Sequence, residues 1–231
     1  MLLVGCASTT QTAEVYDPWE GYNRTMYSIN DGFDRAIFKP VAKGYDFIMP
    51  PPMSQGVTNF FSDIDDFRVI INDLLQFKFS QAAHDTGRFV LNSTVGVAGI
   101  FDVASYGGIE KHREDFGQTL GVWGVGNGPY FVIPILGPST VRDSVGLIGD
   151  AYTSPVIAID DVATRNALIA LFFIDTRANL LGASNILEEA AEDKYSYVRN
   201  AYLQYRRNLV HDGNPPDDGY VAEDEILFGD E

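Results

Sequence analysis

Cys6 is the only cysteine among 231 residues. The chain can therefore form neither an internal disulfide nor a cysteine-based zinc site. Its neighbours suggest another chemistry for the thiol. Leu2-Leu3-Val4-Gly5 precede it, aliphatic residues followed by a small one. This is the form of a lipobox, in which the cysteine is acylated and the chain is cut just before it. A full export signal carries a basic n-region and an apolar stretch of about 7–15 residues. Only five residues stand before Cys6 and none is basic. Residues 1–16 thus read as a truncated signal, a lipobox and a polar tether, with a covalent lipid expected on Cys6.

Other reactive residues form no convincing set. His84, His112 and His211 lie far apart with no H-x-x-x-H spacing, so no histidine metal cluster is expected. No G-x-S-x-G nucleophile elbow occurs. Ser139 or Ser144 could serve a lipid hydrolase with His84 or His112 and an aspartate, provided nucleophile and base converge within hydrogen-bond reach. Scattered Ser and His are common by chance, and the expectation is a protein that is not an enzyme. Gly124-x-Gly126-x-x leads into Pro129 where a dinucleotide fingerprint needs glycine. Metal and cofactor are both expected to be absent.

Charge narrows the partners. The formal net charge is −16, and residues 212–231 hold eight acidic and no basic residues. Such a balance argues against binding nucleic acid through its phosphates. It also gives no general attraction to anionic headgroups, so any membrane contact must be apolar or covalent. The acidic end reads as a disordered tail.

The elements between are mostly helical. Asp17-Pro18-Trp19-Glu20 looks like a helix start with Asp17 as N-cap and Glu20 reaching back. Trp19, Tyr22, Met26, Ile29, Phe33 and Ile37 recur at helical spacing, opposite Asn23, Arg24, Asn30, Asp31 and Asp34. An apolar stripe of this kind usually faces a core; a helix lying on a membrane is the less common reading. Pro40 is expected to end this helix and a short one to follow over 41–49. Three prolines at 50–52 read as a stiff turn. Two helices follow, separated at a Ser62-x-x-Asp65 capping box, then another over about 80–92. Residues 167–174 are the longest apolar run, too short to span a bilayer, which needs about 20 helical residues. A last long helix is expected from an Asn185 N-cap to Leu209.

Residues 115–143 organise the chain, holding six of its 22 glycines and three of its 11 prolines. Tyr130-Phe131-Val132-Ile133 is apolar and stopped by Pro134, so it reads as extended rather than helical. Gly137-Pro138 breaks the chain again, and Thr140 with Asp143 caps the next helix. The stretch reads as an apolar, hairpin-like loop between helices. Gly121, Gly124, Gly126 and Gly128 are candidate hinges, and Tyr130, Phe131, Val132 and Ile133 the candidate wall of a gate.

Taken together, five stretches resemble the MlaA (VacJ) family of bacterial outer-membrane lipoproteins. They are Asp17-Pro18-Trp19-Glu20-Gly21-Tyr22-Asn23-Arg24, Val57-Thr58-Asn59-Phe60-Phe61, Arg88-Phe89-Val90-Leu91-Asn92-Ser93, Asp115-Phe116-Gly117-Gln118-Thr119-Leu120-Gly121 and Gly124-Val125-Gly126-Asn127-Gly128-Pro129-Tyr130. The resemblance covers nearly the whole chain. It implies a mainly α, ring-like assembly of long and short helices around a central amphipathic channel, occupying residues 17–211. It further implies a place in the inner leaflet of the outer membrane and phospholipid as the transported substrate. The implied partners are a trimeric porin and a soluble periplasmic lipid carrier. Asn59 and Phe60 resemble the family's Asn-Phe motif and, with Phe61, join the lipid-path candidates. A structural envelope lipoprotein acting only through protein contacts is the alternative.

Overall fold

The computed structural model describes residues 17–217. Cys6 with its expected lipid, and most of the acidic tail, lie outside the described residues. The fold is mainly α. Ten helices and one short hairpin are seen among the described residues: α1 (Glu20–Phe33), α2 (Lys39–Ile48), α3 (Pro51–Leu75), α4 (Phe79–Thr94), α5 (Val103–Tyr106), α6 (Phe116–Val122), β1 (Tyr130–Ile133), β2 (Gly137–Thr140), α7 (Val141–Thr153), α8 (Val162–Asn179), α9 (Leu181–Ala190) and α10 (Lys194–Val210).

Several boundaries differ from the sequence reading. The first helix does not stop at Pro40. A π-helical turn, Asp34–Phe38, joins α1 to α2 without a break. The Lys39 amide reaches back five residues to the Asp34 carbonyl. Widening the coil there accommodates a proline that cannot donate to the residue four back and would crowd its carbonyl. Residues 50–52 do not form a turn, since α3 begins at Pro51 with prolines in its first two positions, where missing amides cost nothing. Nor does α3 break at Ser62. With no glycine or proline there, one 25-residue helix continues, and Asp65 pairs with Arg68 at 2.7 Å instead of capping. Asp17 bonds the Trp19 amide (3.2 Å) from outside the helix, and Glu20 pairs with Arg24 (2.7 Å) rather than reaching back.

The final helix is two helices. Asn185 lies inside α9, and the chain becomes extended at Ala191. Asp193 then caps α10 by accepting from the amides of Tyr195 and Ser196 while gripping Arg24 at 2.8 Å. A cap and an ion pair at one carboxylate outweigh one more helical turn.

The inside of this protein is largely polar and its outside largely apolar. Asn23, Asp66, Asp73, Asp85, Thr119 and Thr140 are fully buried. Phe47, Tyr106 and Tyr152 are 91%, 94% and 86% exposed, and the whole stripe Trp19, Tyr22, Ile29, Phe33 and Ile37 lies open. The predicted stripe therefore exists and lies mostly open, with Met26 packed inward and Asn23 buried beside it. A compact apolar cluster of Tyr130, Val132 and Tyr195, flanked by Met26, Tyr27, Tyr202 and Leu203, seats the hairpin against α1 and α10. Near it, α6 and α7 touch backbone to backbone: a Cβ on Gly146 would lie 2.4 Å from the Gly117 nitrogen.

Candidate functional site

The hairpin is antiparallel, with Tyr130 opposite Thr140 and Ile133 opposite Gly137. Its first strand alternates as period two requires, Tyr130 and Val132 inward and Phe131 against Trp19, ring centroids 6.1 Å apart. Two strands leave an open edge on β1. Side chains of α1 close it. Asn23 donates to the Tyr130 carbonyl (3.2 Å) and accepts from the Val132 amide (2.9 Å). Two turns later, Asn30 donates to the Ile133 carbonyl (2.9 Å) and accepts from the Ile135 amide (2.7 Å). As predicted, Thr140 caps α7 by accepting from the Asp143 amide (3.2 Å).

The tip, residues 134–136, projects among three cavities. Ile135 sits at φ +68°, left-handed backbone that a β-branched residue rarely adopts, and Gly137 follows at φ +95°. The first cavity, about 410 Å³, lies between the π turn, α8 and α9 and is mixed in character, with Asp34, Arg177 and Lys194 among its walls. The second, about 400 Å³, lies between α3, α7 and α8 and is walled mainly by Phe61, Ile64, Leu168, Ile169 and Phe172. The third, about 230 Å³, is polar and includes Arg68, Asp143, Asp150 and Arg206. Leu136 lines all three, and Phe173 lines the first two. Volumes of a few hundred Å³ are the size of small-molecule and lipid-chain sites.

The residues singled out from sequence fall in three places. Tyr130, Phe131, Val132 and Ile133 are β1, and Val132 and Ile133 reach the first and third cavities respectively. Phe61 is buried, lines the second cavity and meets Phe60 and Phe172 edge to face at 5.3 Å each. Asn59 is turned aside, donating to the Ile100 carbonyl at 3.0 Å. Gly121 lies inside α6, where a Cβ would meet Arg142 at 2.9 Å and Val210 at 3.0 Å; it is a packing glycine. Gly124 and Gly128 have positive φ, and Gly126 has open space around it. Sequence reasoning missed Leu136, Phe173, Arg68 and Asp150. Leu136 falls between Pro134 and Gly137, where no pattern singles it out, and the ion pair of Arg68 with Asp150 joins residues too distant in sequence for any spacing rule.

Buried charges hold the site's walls. Arg206 bonds Asp143 (2.9 Å) and Asp115 (2.9 Å) at once, joining α10 to α6 and α7. Burial pushes the Asp115 carboxyl up, but the Arg206 guanidinium and Gln118 outweigh it and hold it at about 2. Arg88 bonds Asp102 (2.7 Å) and lies 3.2 Å from Asp66, while Lys111 takes the other Asp66 oxygen at 2.6 Å. Asp175 accepts from Tyr45 (3.0 Å) and Thr58 (2.9 Å), tying α8 to α2 and α3. The hydrolase set is not assembled. Ser139 bonds Ser144 at 2.8 Å, whereas His112 bonds Asp85 at 3.0 Å.

Asp73 and Asp85 share one buried site. Burial first, then the Asp85 hydrogen bond and charge, push Asp73 up to about 8. A carboxyl held neutral in the fold but ionised when unfolded loses stability as pH rises, here from about 4 to about 8. Asp73→Asn keeps a donor facing Asp85 without that loss. The variant should match the wild type near pH 4 and exceed it by about 1–2 kcal/mol near pH 9. Denaturant melts at both ends check it; parallel pH profiles for the two proteins would reject a neutral Asp73.

Among the described residues, no helix is long and apolar enough to cross a membrane, and no group of three or more His, Cys, Asp or Glu could hold a metal. Residues 15–209 match the family model described as MlaA lipoprotein. The chain is similar to the intermembrane phospholipid transport system lipoprotein MlaA of Escherichia coli (strain K12), 37% identical over 217 residues, 92% of this chain and 85% of that protein. It is similar to the protein of the same name from Haemophilus influenzae, 33% identical, covering 97% of this chain and 92% of that one. A solved structure from work on the structural basis for maintenance of bacterial outer membrane lipid asymmetry superposes with a TM-score of 0.75 at 32% identity, over 85% of this chain and 100% of the other.

Proposed function

This chain belongs to the MlaA lipoprotein family, and from that premise we propose that it is a lipid-anchored transporter component which removes mislocalised phospholipid from the outer leaflet of the outer membrane. The observation that carries this reading is the inverted polarity of the fold: apolar side chains cover the outside while three adjoining cavities open around a hairpin tip inside. Apolar patches much above a few hundred Å² on a protein surface mark contact with another apolar phase or a partner. Described helices none of which is long and apolar enough to cross a bilayer, but several of which are apolar on their outer faces, suit a protein sunk in one leaflet. The acyl groups on Cys6 would add about 0.8 kcal/mol per buried methylene, ample to hold it there. The leaflet is the periplasmic one.

Phospholipid passes through a central amphipathic channel to a soluble periplasmic carrier, and a trimeric porin holds the protein in place. Motion concentrates in segment 124–128, because Asn23 and Asn30 clamp β1 itself. Of the Asn59-Phe60-Phe61 stretch, Phe61 supplies the α3 wall of the path, with Phe60 packed against it. No step needs catalysis or a cofactor.

The test is direct. Protein extracted from membranes in mild detergent should carry phospholipid, and in proteoliposomes with the carrier it should deliver labelled phospholipid. A disulfide from Val125→Cys to a cysteine on a neighbouring helix, which would lock segment 124–128, should stop delivery, and reduction should restore it. Lipid-free protein with no delivery would favour a structural envelope role instead.

A further inference from the structure

The second cavity and the third meet at Arg68, which lines both. Arg68 projects from the middle of α3 and is committed on one side only. Its Nη2 pairs with Asp65 at 2.7 Å. Its Nη1 has the Asp150 carboxylate no nearer than 3.8 Å, beyond hydrogen-bond reach. Its Nε is buried without a partner. A guanidinium carries five donors in a planar fork suited to two oxygens at once, and this one leaves several unused. Asp150 does not demand them. It accepts from the Phe116 amide (3.0 Å) and Asn72 (3.3 Å) instead. Burial pushes it up to about 6, with the Arg68 charge acting against that rise.

Apart from Arg68, Asp65, Asp150 and Ser154, the second cavity is lined by apolar residues. Phe61, Ile64, Leu147, Leu168, Ile169 and Phe172 wall a volume of about 400 Å³. One underused cation at the mouth of an apolar slot is the complement of one molecular class: a phosphate ester with a hydrocarbon chain. A free fatty acid would offer a smaller anion, and inorganic phosphate would leave the slot empty.

We propose that the cavity between α3, α7 and α8 is a lipid-holding site, in which one acyl chain of a phospholipid fills the apolar slot and its phosphate diester sits on Arg68 at the mouth. The proposal rests on the transport reading and gives it a specific station. Leu136 closes the slot from the hairpin side, and Phe173 separates it from the first cavity. A lipid held here would stand beside the hairpin tip.

Two variants separate the two halves of the site. Arg68→Gln keeps a polar donor beside Asp65 and removes the charge. Leu168→Trp fills the slot and leaves the mouth intact. The probe is phosphatidylethanolamine with a photoreactive acyl chain in detergent micelles, scored as crosslinked lipid per folded protein and mapped by mass spectrometry. Diacylglycerol with the same chain, and inorganic phosphate as a competitor, are the comparison arms. Wild-type protein should label at α3 and α8, and phosphate should not compete. Arg68→Gln should lower phospholipid labelling roughly tenfold while leaving diacylglycerol labelling unchanged, the scale of one lost charged hydrogen bond. Leu168→Trp should lower both. Wild-type labels confined to other elements, or folded variants that label like wild type, would overturn the site. Phosphate competition would reassign it to a free anion. Protein that takes up no phospholipid anywhere would instead overturn the transport reading on which the proposal rests.

Discussion

Arg206→Met should destabilise the protein by about 3–5 kcal/mol, because it removes one partner from a buried ion cluster and leaves the others behind. Arg206 is buried and holds two carboxylates through three nitrogens. Asp143 keeps Arg142 at 2.9 Å and the Tyr202 hydroxyl at 2.8 Å. Asp115 keeps only Gln118 and loses its cation. The cluster also sits on Gly117, where any Cβ would come within 2.8 Å of the guanidinium, so helix packing and charge pairing were fitted to each other. Adding Asp115→Asn to Arg206→Met should recover part of the loss, since the stranded charge is then gone. The pH dependence carries a sign. Asp115 is held at about 2, below its unfolded value near 4, so its contribution is present above about pH 4 and fades as pH falls toward 2. In Arg206→Met only the Gln118 hydrogen bonds oppose burial at Asp115, and that acid-side slope should shrink. Chemical denaturation in detergent, at neutral pH and at pH values between 4 and 2, measures both. A loss under about 1 kcal/mol would mean that water enters the cluster and solvates it.

Local signals in the sequence were read correctly where local forces decide. Thr140 caps α7 because a hydroxyl three residues before an amide needs no help from the fold. Residues 130–133 are extended because Pro129 and Pro134 leave no room for helix. The stripe Trp19, Tyr22, Ile29, Phe33 and Ile37 was also legible as a helix face. Its direction was not. Periodicity reports that a face exists, while the phase it meets depends on everything else in the chain. Here Asn23 faces inward because β1 has an edge to satisfy, a need that arises only once residues over one hundred positions later have folded. The π turn before Pro40 was invisible for a different reason: a 3.6-residue pattern cannot register one widened turn. The cavities were the least legible feature. Phe61 was marked from its motif, but Arg68, Leu136 and Asp150 come from three elements, and only the packed structure shows that they border one space. Among the proposed hinges, Gly121 looked like its neighbours in sequence and differs because it lies inside α6 with Arg142 and Val210 packed against it.

Asn23→Ala should be the most damaging neutral substitution in the hairpin, at roughly 2–5 kcal/mol. The Asn23 amide behaves as a third strand one residue wide. It gives a hydrogen to the Tyr130 carbonyl, takes one from the Val132 amide, and donates to Asp17 at 2.8 Å. All of this lies at a position with no solvent exposure. Alanine leaves two backbone groups of β1 without partners where water cannot reach, at about 1–3 kcal/mol for each. Asp17 would keep Tyr195 and Arg199. Asn30 makes the same pair of bonds at the tip, but the Ile135 amide there is exposed and water can replace the lost partner. Asn30→Ala should therefore cost only about 1 kcal/mol. Its effect should appear instead in the tip, where Ile135 is held in left-handed backbone by that one bond. Hydrogen exchange reads the difference. Asn23→Ala should speed exchange throughout β1 together with global unfolding, whereas Asn30→Ala should speed it at Ile135 alone and leave Val132 protected. Equal melting of Asn23→Ala and wild type would show that β1 finds another partner for its edge. Unchanged exchange at Ile135 in Asn30→Ala would show that the tip is fixed by its apolar surroundings, Leu136 and Phe173 above all, and not by the asparagine clamp.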